Sequence, residues 1–229
     1  MRLISIQTGM PRTLGTPDAE DPMDREWTTG FFKTPVDGPV HAGPTGLVGD
    51  GQADTRVHGG PDKAINVYPL DHYAVWEREL GVAFGFGAFG ENFTTEGGVE
   101  TEICIGDTFR IGTAVVQVSQ PRQPCWKLAR RWRIQELAAL VEQTGRTGWY
   151  FRVLQSGEVS APGEFELIER PFPTWTVAAA NAVMHRRQGD LAAAQALASC
   201  PALSESWRSS LSRRTASQTP PSSNARLGA

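Results

Sequence analysis

The chain has 229 residues, 40% of them hydrophobic, and a formal net charge of −3. That length suits one domain with at most a small appendage, and the near-neutral balance makes no electrostatic case for nucleic acid or an anionic membrane. No apolar run suits a signal peptide or a membrane span, and Cys104, Cys125 and Cys200 are too scattered for a disulfide framework, so a cytoplasmic protein of a reducing compartment is expected.

Ile4 and Ile6 alternate with polar neighbours and predict a first strand, followed by a Pro- and Gly-rich loop over 10–24. Trp27–Lys33 reads as a second strand, and Gly43–Asp62 carries too many glycines for regular structure. Strand character resumes over Ala64–Tyr68, and Asp71 is placed to cap a helix through Leu80 with Tyr73 and Trp76 on one face. Gly85–Gly90 reads as a glycine-punctuated loop leading into Glu91–Thr95, and Ile103–Ile105, Thr108–Ile111 and Ala114–Val118 predict short strands separated by Gly106-Asp107 and Gly112-Thr113 turns. Arg133–Gln143 has helical spacing with Gly145 as its stop, and Trp149–Leu154 and Phe165–Ile168 supply further strands. Many short strands punctuated by glycine favour a barrel or strongly curved sheet with peripheral helices over 1–171. Three short helices over 172–214 follow, with Asp190 capping the second. Residues 215–229, mostly Ser, Thr, Pro, Arg and Gly, read as a disordered tail.

The chemistry concentrates in three loops. Val116-Gln-Val-Ser-Gln-Pro-Arg-Gln-Pro-Cys-Trp-Lys-Leu128 begins as a strand, and Pro121 and Pro124 stiffen the turn that follows. Cys125 at its end stands between Arg122 and Lys127. Cations beside a cysteine favour its thiolate, the form that attacks electrophiles or binds soft metals. In His58-Gly-Gly-Pro-Asp-Lys-Ala64, the Gly59-Gly60 backbone, His58 and Lys63 suit an oxyanion or phosphate, although the order is not that of a P-loop. Gly90-Glu91-Asn92 offers close approach and, through its Asn, donors and an acceptor for a heterocycle edge. Arg152 reads either as a second anion ligand or as a charge on the barrel rim. His58 or His72 stands as a partner for Cys125 in thiol chemistry, and Asp50, Asp54 and Asp62 read as solvated loop charges. Trp126 and Trp132 read as packing residues. No C-x-x-C or paired histidine supports zinc.

Taken in order, His58-Gly-Gly-Pro-Asp-Lys-Ala, Tyr68-Pro with His72-Tyr73 and Trp76, Gly90-Glu-Asn, and Ser119-Gln-Pro-Arg-x-Pro-Cys-x-Lys-Leu128 resemble the MOSC domain, in its YiiM subgroup of hydroxylaminopurine-resistance proteins. The resemblance runs from about Leu47 to Ile168, and the alanine-rich end resembles the three-helix domain of that subgroup. It implies a mostly β, MOSC-type barrel and a molybdenum cofactor, a molybdopterin-type pterin carrying the metal. Cys125 would then be the protein's sulfur ligand to molybdenum and, with His58, a catalytic residue. The cofactor-binding set would be His58, Gly59, Gly60, Lys63, Glu91, Asn92, Arg122 and Arg152. The implied activity is reduction of small-molecule N-hydroxylated compounds, such as hydroxylaminopurine-type bases, hydroxylamines or amidoximes, to amines or amidines. A separate flavin- or iron–sulfur-containing reductase would donate the electrons, since no nucleotide or flavin motif is visible. A non-catalytic carrier of the cofactor or of persulfide sulfur, and a metal-free thiol enzyme, stand as alternatives. The three-helix end docks the donor, forms a homodimer or only covers a barrel edge; the sequence leaves these open.

Overall fold

The computed structural model describes residues 1–54, 59–218 and 224–227. One large sheet organises the described chain. Its strands lie in the order Gly163–Glu164, Arg2–Thr8, Phe93–Glu96, Ile65–Pro69, Trp149–Gln155, Ala114–Pro121, Thr108–Ile111 and Glu166–Glu169, with Thr34–Pro35 paired beside Arg2–Thr8. The two end strands are separated in sequence only by Phe165. The first pairs with Arg2 and Leu3 and the second with Thr108 to Arg110, so one stretch of chain meets both edges and the sheet curls into a barrel-like shell. Neighbouring strands are antiparallel except Ile65–Pro69 and Phe93–Glu96, whose parallel pairing requires a crossover. That crossover carries the helix Tyr73–Leu80, ended by Gly81 in the left-handed conformation. Leu3, Ile6, Val67, Phe93, Val116, Val118, Trp149 and Phe151 fill the shell, and Tyr68, Trp76, Phe89, Leu128, Leu137 and Val141 form a second cluster beneath the helices.

Several elements differ from the sequence reading for local reasons. Ile103–Ile105 makes no sheet ladder; Cys104 forms a single bridge to Thr176. The strand at Trp27 ends at Thr29. Asp71 caps nothing, since its carboxylate accepts from Gly97 N and a 3-10 turn over Leu70–His72 precedes the helix. A helix over Lys127–Trp132 follows Cys125 directly. Arg133, at φ 57°, ends it, so the next helix starts only at Leu137 and stops at Gly145. Tyr68, Tyr73 and Trp76 are packing residues: Tyr68 stacks on Phe89 at 4.0 Å, and Trp76 donates to the Tyr68 hydroxyl at 2.7 Å.

Glu91 has a structural task in the loop ahead of Phe93. Fully buried, its carboxylate accepts from the Tyr73 hydroxyl, from Gly87 N (2.8 Å), from Phe89 N (2.9 Å) and from Thr94 Oγ1 (3.0 Å). Four donors on one carboxylate offset the cost of burying the charge.

The C-terminal helices pack on the shell rather than standing apart. Val177, Val183, Met184, Leu197, Trp207 and Leu211 share one cluster with the barrel core. Main-chain bonds from Val177 N to Ile103 O and from Ser204 N to Ser119 O, 2.8 and 2.9 Å, tie the two parts. Thr176, Asp190 and Ser204 cap the three helices through their side chains. The first widens into a π-type turn over Ala182–Arg186, and Arg214, buried, donates to the Val183 and Met184 carbonyls that this turn leaves open. Within the segment read as a disordered tail, helix continues to Ser217 and Asn224–Leu227 forms a further helical turn; the rest of that segment lies outside the described residues. No helix of the described residues is long and apolar enough to cross a membrane.

Two outcomes test this packing. Glu91→Ala leaves four donors facing an empty space, and should lower unfolding free energy by roughly 3 kcal/mol or more in urea titrations; a cost below about 1 kcal/mol would refute its structural role. His185 packs between the helical end and Glu142, 3.2 Å away. Burial pulls its pKa down to about 4, with Glu142 opposing and Arg226, Arg214 and Arg186 reinforcing. The unfolded chain therefore binds a proton near pH 6.5 that the folded chain refuses until about pH 4, so stability falls as pH falls through that window, by on the order of 3 kcal/mol. His185→Gln should flatten the pH 4–7 stability profile by a corresponding amount.

Candidate functional site

The antiparallel ladder between Ala114–Pro121 and Trp149–Gln155 builds the site. Its last rungs pair Gln120 with Tyr150 and Pro121 with Trp149, and Arg122 N then donates to Gly148 O at 3.1 Å. The sequence reading ended this strand at Val118; Pro121 is tolerated because it closes the strand, where its missing N–H costs little. Residues 123–126 then leave the sheet, and Leu128 N donates back to Cys125 O at 3.1 Å as the following helix starts. Cys125 thus sits in a strand-to-helix loop at one end of the shell, 8% exposed.

Two clefts meet at this cysteine. The narrower spans about 590 Å³, part of it open to solvent, and Lys33, Lys63, Arg122 and Lys127 reach it with no carboxylate among its described lining residues. The wider, about 1520 Å³, opens between Trp27, Trp126 and Arg130. The two indole rings lie 5.4 Å apart, with the Arg130 guanidinium 5.0 Å from the Trp126 ring. Cys125, Lys63, Gln123, Lys127 and Tyr150 border both. Phe31 closes the floor of the narrow cleft by packing against Gly90. That glycine has φ +74°, and a Cβ there would meet the Phe31 ring at 2.8 Å.

Asp50 organises the opposite wall. Read from sequence as a solvated loop charge, it is instead buried, accepting from Lys33 Nζ, from Gly9 N at 3.0 Å and from Asn92 Nδ2 at 2.9 Å. Burial lowers the Lys33 pKa, and Asp50 works against that shift. Lys63 is likewise lowered by burial, with Asp62 opposing. Burial raises the Tyr150 phenol, and Arg122 beside it acts the other way. Burial also raises the thiols of Cys104, which bridges to Thr176, and of Cys200, in the cluster that the helical end shares with the barrel.

Of the residues singled out by sequence, the fold brings Cys125, Arg122, Lys63 and Asn92 to the narrow cleft. Asn92 is already committed: Oδ1 accepts from Asn66 N at 3.0 Å, and Nδ2 donates to Gln7 O and Asp50. Glu91, spent on its own loop, does not line the cleft. Arg152 lies off it, donating to Asp62 and to Gln117 Oε1. Asp62, half-buried, also accepts from Glu205 N, so it joins the Gly59-Gly60-Pro61-Asp62 turn to the helix Glu205–Ser217. Gly60, exposed at φ +92°, and Gly59 stay outside the lining, and His58 lies outside the described residues. His72 is paired with Glu100 at 2.7 Å, away from Cys125. Trp132 packs as expected, donating to Ala88 O, whereas Trp126 borders the wide cleft.

Asn66, Lys33 and Tyr150 are lining residues that the sequence reading missed. Asn66 had a usable signal, a polar side chain inside the apolar run Ala-Ile-Asn-Val-Tyr. Two buried polar atoms on residues that line the narrow cleft have no partner among the described residues, Arg122 Nη1 and Asn66 Oδ1. One is a charged donor and the other an acceptor. Buried polar groups are nearly always paired, so this wall has the chemistry of a site for an anionic, hydrogen-bonding ligand.

The MOSC domain profile matches residues 54–165, and the YiiM-like, 3-alpha helix domain profile matches residues 175–218. Protein YiiM of Escherichia coli (strain K12) is 41% identical over 81% of this chain and 84% of its own length. The crystal structure of YiiM from Geobacillus stearothermophilus superposes with a TM-score of 0.79 at 40% identity, covering 93% of this chain and 98% of that one. A protein named "Reductase" from Gibberella moniliformis (strain M3125 / FGSC 7600) is 36% identical over 72% of this chain, which spans 30% of that longer protein. A MOSC domain closed by a three-helix end, matched along most of the length by YiiM proteins, leaves one assignment: this chain belongs to the MOSC domain family, in its YiiM group.

Proposed function

We propose that this chain is a reductase of N-hydroxylated compounds that works with a molybdenum cofactor held at Cys125. MOSC domains are generally associated with binding of that cofactor, and the fungal relative's name points to reduction. The observation that carries the reading is the junction at Cys125 of a cation-lined cleft with a wider, indole-flanked one. The residues present fit the group. A cysteine sulfur suits a soft metal, the cations suit the phosphate of a pterin, and Arg122 Nη1 with Asn66 Oδ1 offers a donor and an acceptor that have no partner among the described residues. When bound, the molybdenum centre would supply the two-electron chemistry that removes oxygen from an N–OH group.

The chain's own residues would bind and orient. Cys125 is the sulfur ligand. Arg122, Lys63 and Lys127 hold the anionic part, while Asn66 meets the heterocycle edge in place of Glu91. Lys33, fixed by Asp50, keeps a cation at the inner wall. The N-hydroxylated substrate enters through the wide cleft, where Trp27 and Trp126 offer their rings to a planar base. The net change is R–NH–OH plus two electrons and two protons to R–NH2 and water. The electrons come from a separate flavin- or iron–sulfur-containing reductase. His58 is the candidate proton donor by the motif it belongs to.

Protein made in a host with intact cofactor synthesis should contain molybdenum near one atom per chain. It should also convert 6-hydroxylaminopurine to adenine with a chemical electron donor. Cys125→Ser should lose the metal or at least 100-fold in turnover. A chain free of molybdenum despite plentiful supply would sink the reading, and metal retained without reduction by any donor would favour the carrier role.

A further inference from the structure

The described chain ends where the site begins. Asn224–Leu227 lies against the Cys125 loop, and Arg226 grips that loop on both sides of the cysteine. Trp126 N–H, one residue after Cys125, donates to Arg226 O at 2.9 Å, and the Arg226 guanidinium donates to the carbonyl of Pro124, one residue before it. The other arm of the guanidinium donates to Glu142, on the helix Leu137–Thr144. Leu227 packs against the cluster that contains Tyr68, Trp76 and Leu137. Arg226 also borders the wide cleft beside Trp126.

This contact fills a gap in the loop's own bonding. Arg122 N is tied to Gly148 and Cys125 O to Leu128 N, but Pro124 has no N–H and its carbonyl accepts only from Arg226 among the described residues. The Trp126 N–H is likewise met only by Arg226 O. A planar guanidinium with two donor arms can hold a carbonyl and a carboxylate at once, which a lysine ammonium on its flexible stem cannot do in the same geometry. The three-helix profile ends at residue 218, so Arg226 lies outside the residues that this profile matches.

We propose that Arg226 is a positioning residue for Cys125: it fixes the cysteine loop against Glu142 and completes one wall of the wide cleft, so that the thiol is presented from one direction only. Its effect on turnover rests on the function proposed above; its effect on the thiol does not. The test therefore reads the thiol in full-length protein from a host lacking molybdenum-cofactor synthesis. Iodoacetamide alkylation would be followed at the Cys125 peptide by mass spectrometry, with the Cys104 and Cys200 peptides as internal controls.

Arg226→Ala, and a chain ending at Gln218, should each alkylate at Cys125 at least tenfold faster than wild type, with the two control cysteines unchanged. Arg226→Lys should fall between. Should truncation impair folding, Glu142→Gln, which removes the anchor of the guanidinium together with the carboxylate facing His185, should still raise the Cys125 rate several-fold. Rates within twofold of wild type in the alanine and truncated variants would overturn the proposal, as would an equal rise at all three cysteines, which reports general loosening. A Cys125 reading confirmed here alongside absent molybdenum would leave the positioning role standing and remove only the reductase.

Discussion

The rung that joins Arg122 N to Gly148 O is the constraint on which the site depends. It carries the central ladder one residue past Pro121, so the chain leaves the sheet at a fixed point and direction. Tyr150, paired with Gln120 on one side and Asn66 on the other, is set by the same ladder. Asn92 joins through its N–H to Asn66 O at 2.8 Å. Cleft-lining side chains from four strands or strand ends are therefore referenced to one hydrogen-bonded frame, and side chains placed on strands are held more tightly than those placed on loops.

The buried charges at this end divide into two kinds. Asp50 and Lys33 satisfy each other, and Glu91 satisfies its own loop; these pairs make the wall rigid and ask nothing of a ligand. Arg122 is different. It is 4% exposed with Nη1 unpaired, in a cleft whose other cations add to its field. Its guanidinium meets the Tyr150 hydroxyl, but a buried charged donor with no partner of its own among the described residues is expensive to a folded chain. The cheapest relief is an anion in the cleft, which makes Arg122, more than any neighbour, the residue through which ligand binding and stability are coupled.

Much of this was legible in the sequence because it is local. The prolines around Cys125, the helix cap at Asp190 and the glycine stop at 145 act within a few residues, and composition alone separates the helical end from the barrel. The motif loops also named Arg122, Lys63 and Asn92, which do line the cleft. What the sequence hid is tertiary. Lys33 and Asp50 stand seventeen residues apart in irregular segments, and nothing in either stretch says that they meet in the interior. Glu91 and Asn92 were read as ligand contacts because polar residues in a glycine turn suit that task. Their partners, Tyr73, Gly87, Asp50 and Gln7, come from other elements and exist only once the shell has closed. Arg226 was hidden by composition, since a polar, proline-bearing tail gives no sign that one of its arginines has a docking place.

The helical end acquires a reason from the same geometry. Ser119, on the strand that leads to Cys125, accepts from Ser204 N, and Asp62 accepts from Glu205 N while pairing with Arg152 on the adjoining strand. The last long helix is thus pinned at its start to the outer side of the two strands that form the site. In the π-type turn of the first of these helices, His185 meets Glu142, the carboxylate that also anchors Arg226. Covering an apolar barrel edge would need none of these polar ties; apolar contact alone would serve. These ties add to the shared apolar cluster and connect the helices to the site-bearing ladder at Ser119 and to the helix that carries Glu142. A shift of the helical end would have to break bonds to Ser119, Asp62 or Glu142 before it reached the cysteine.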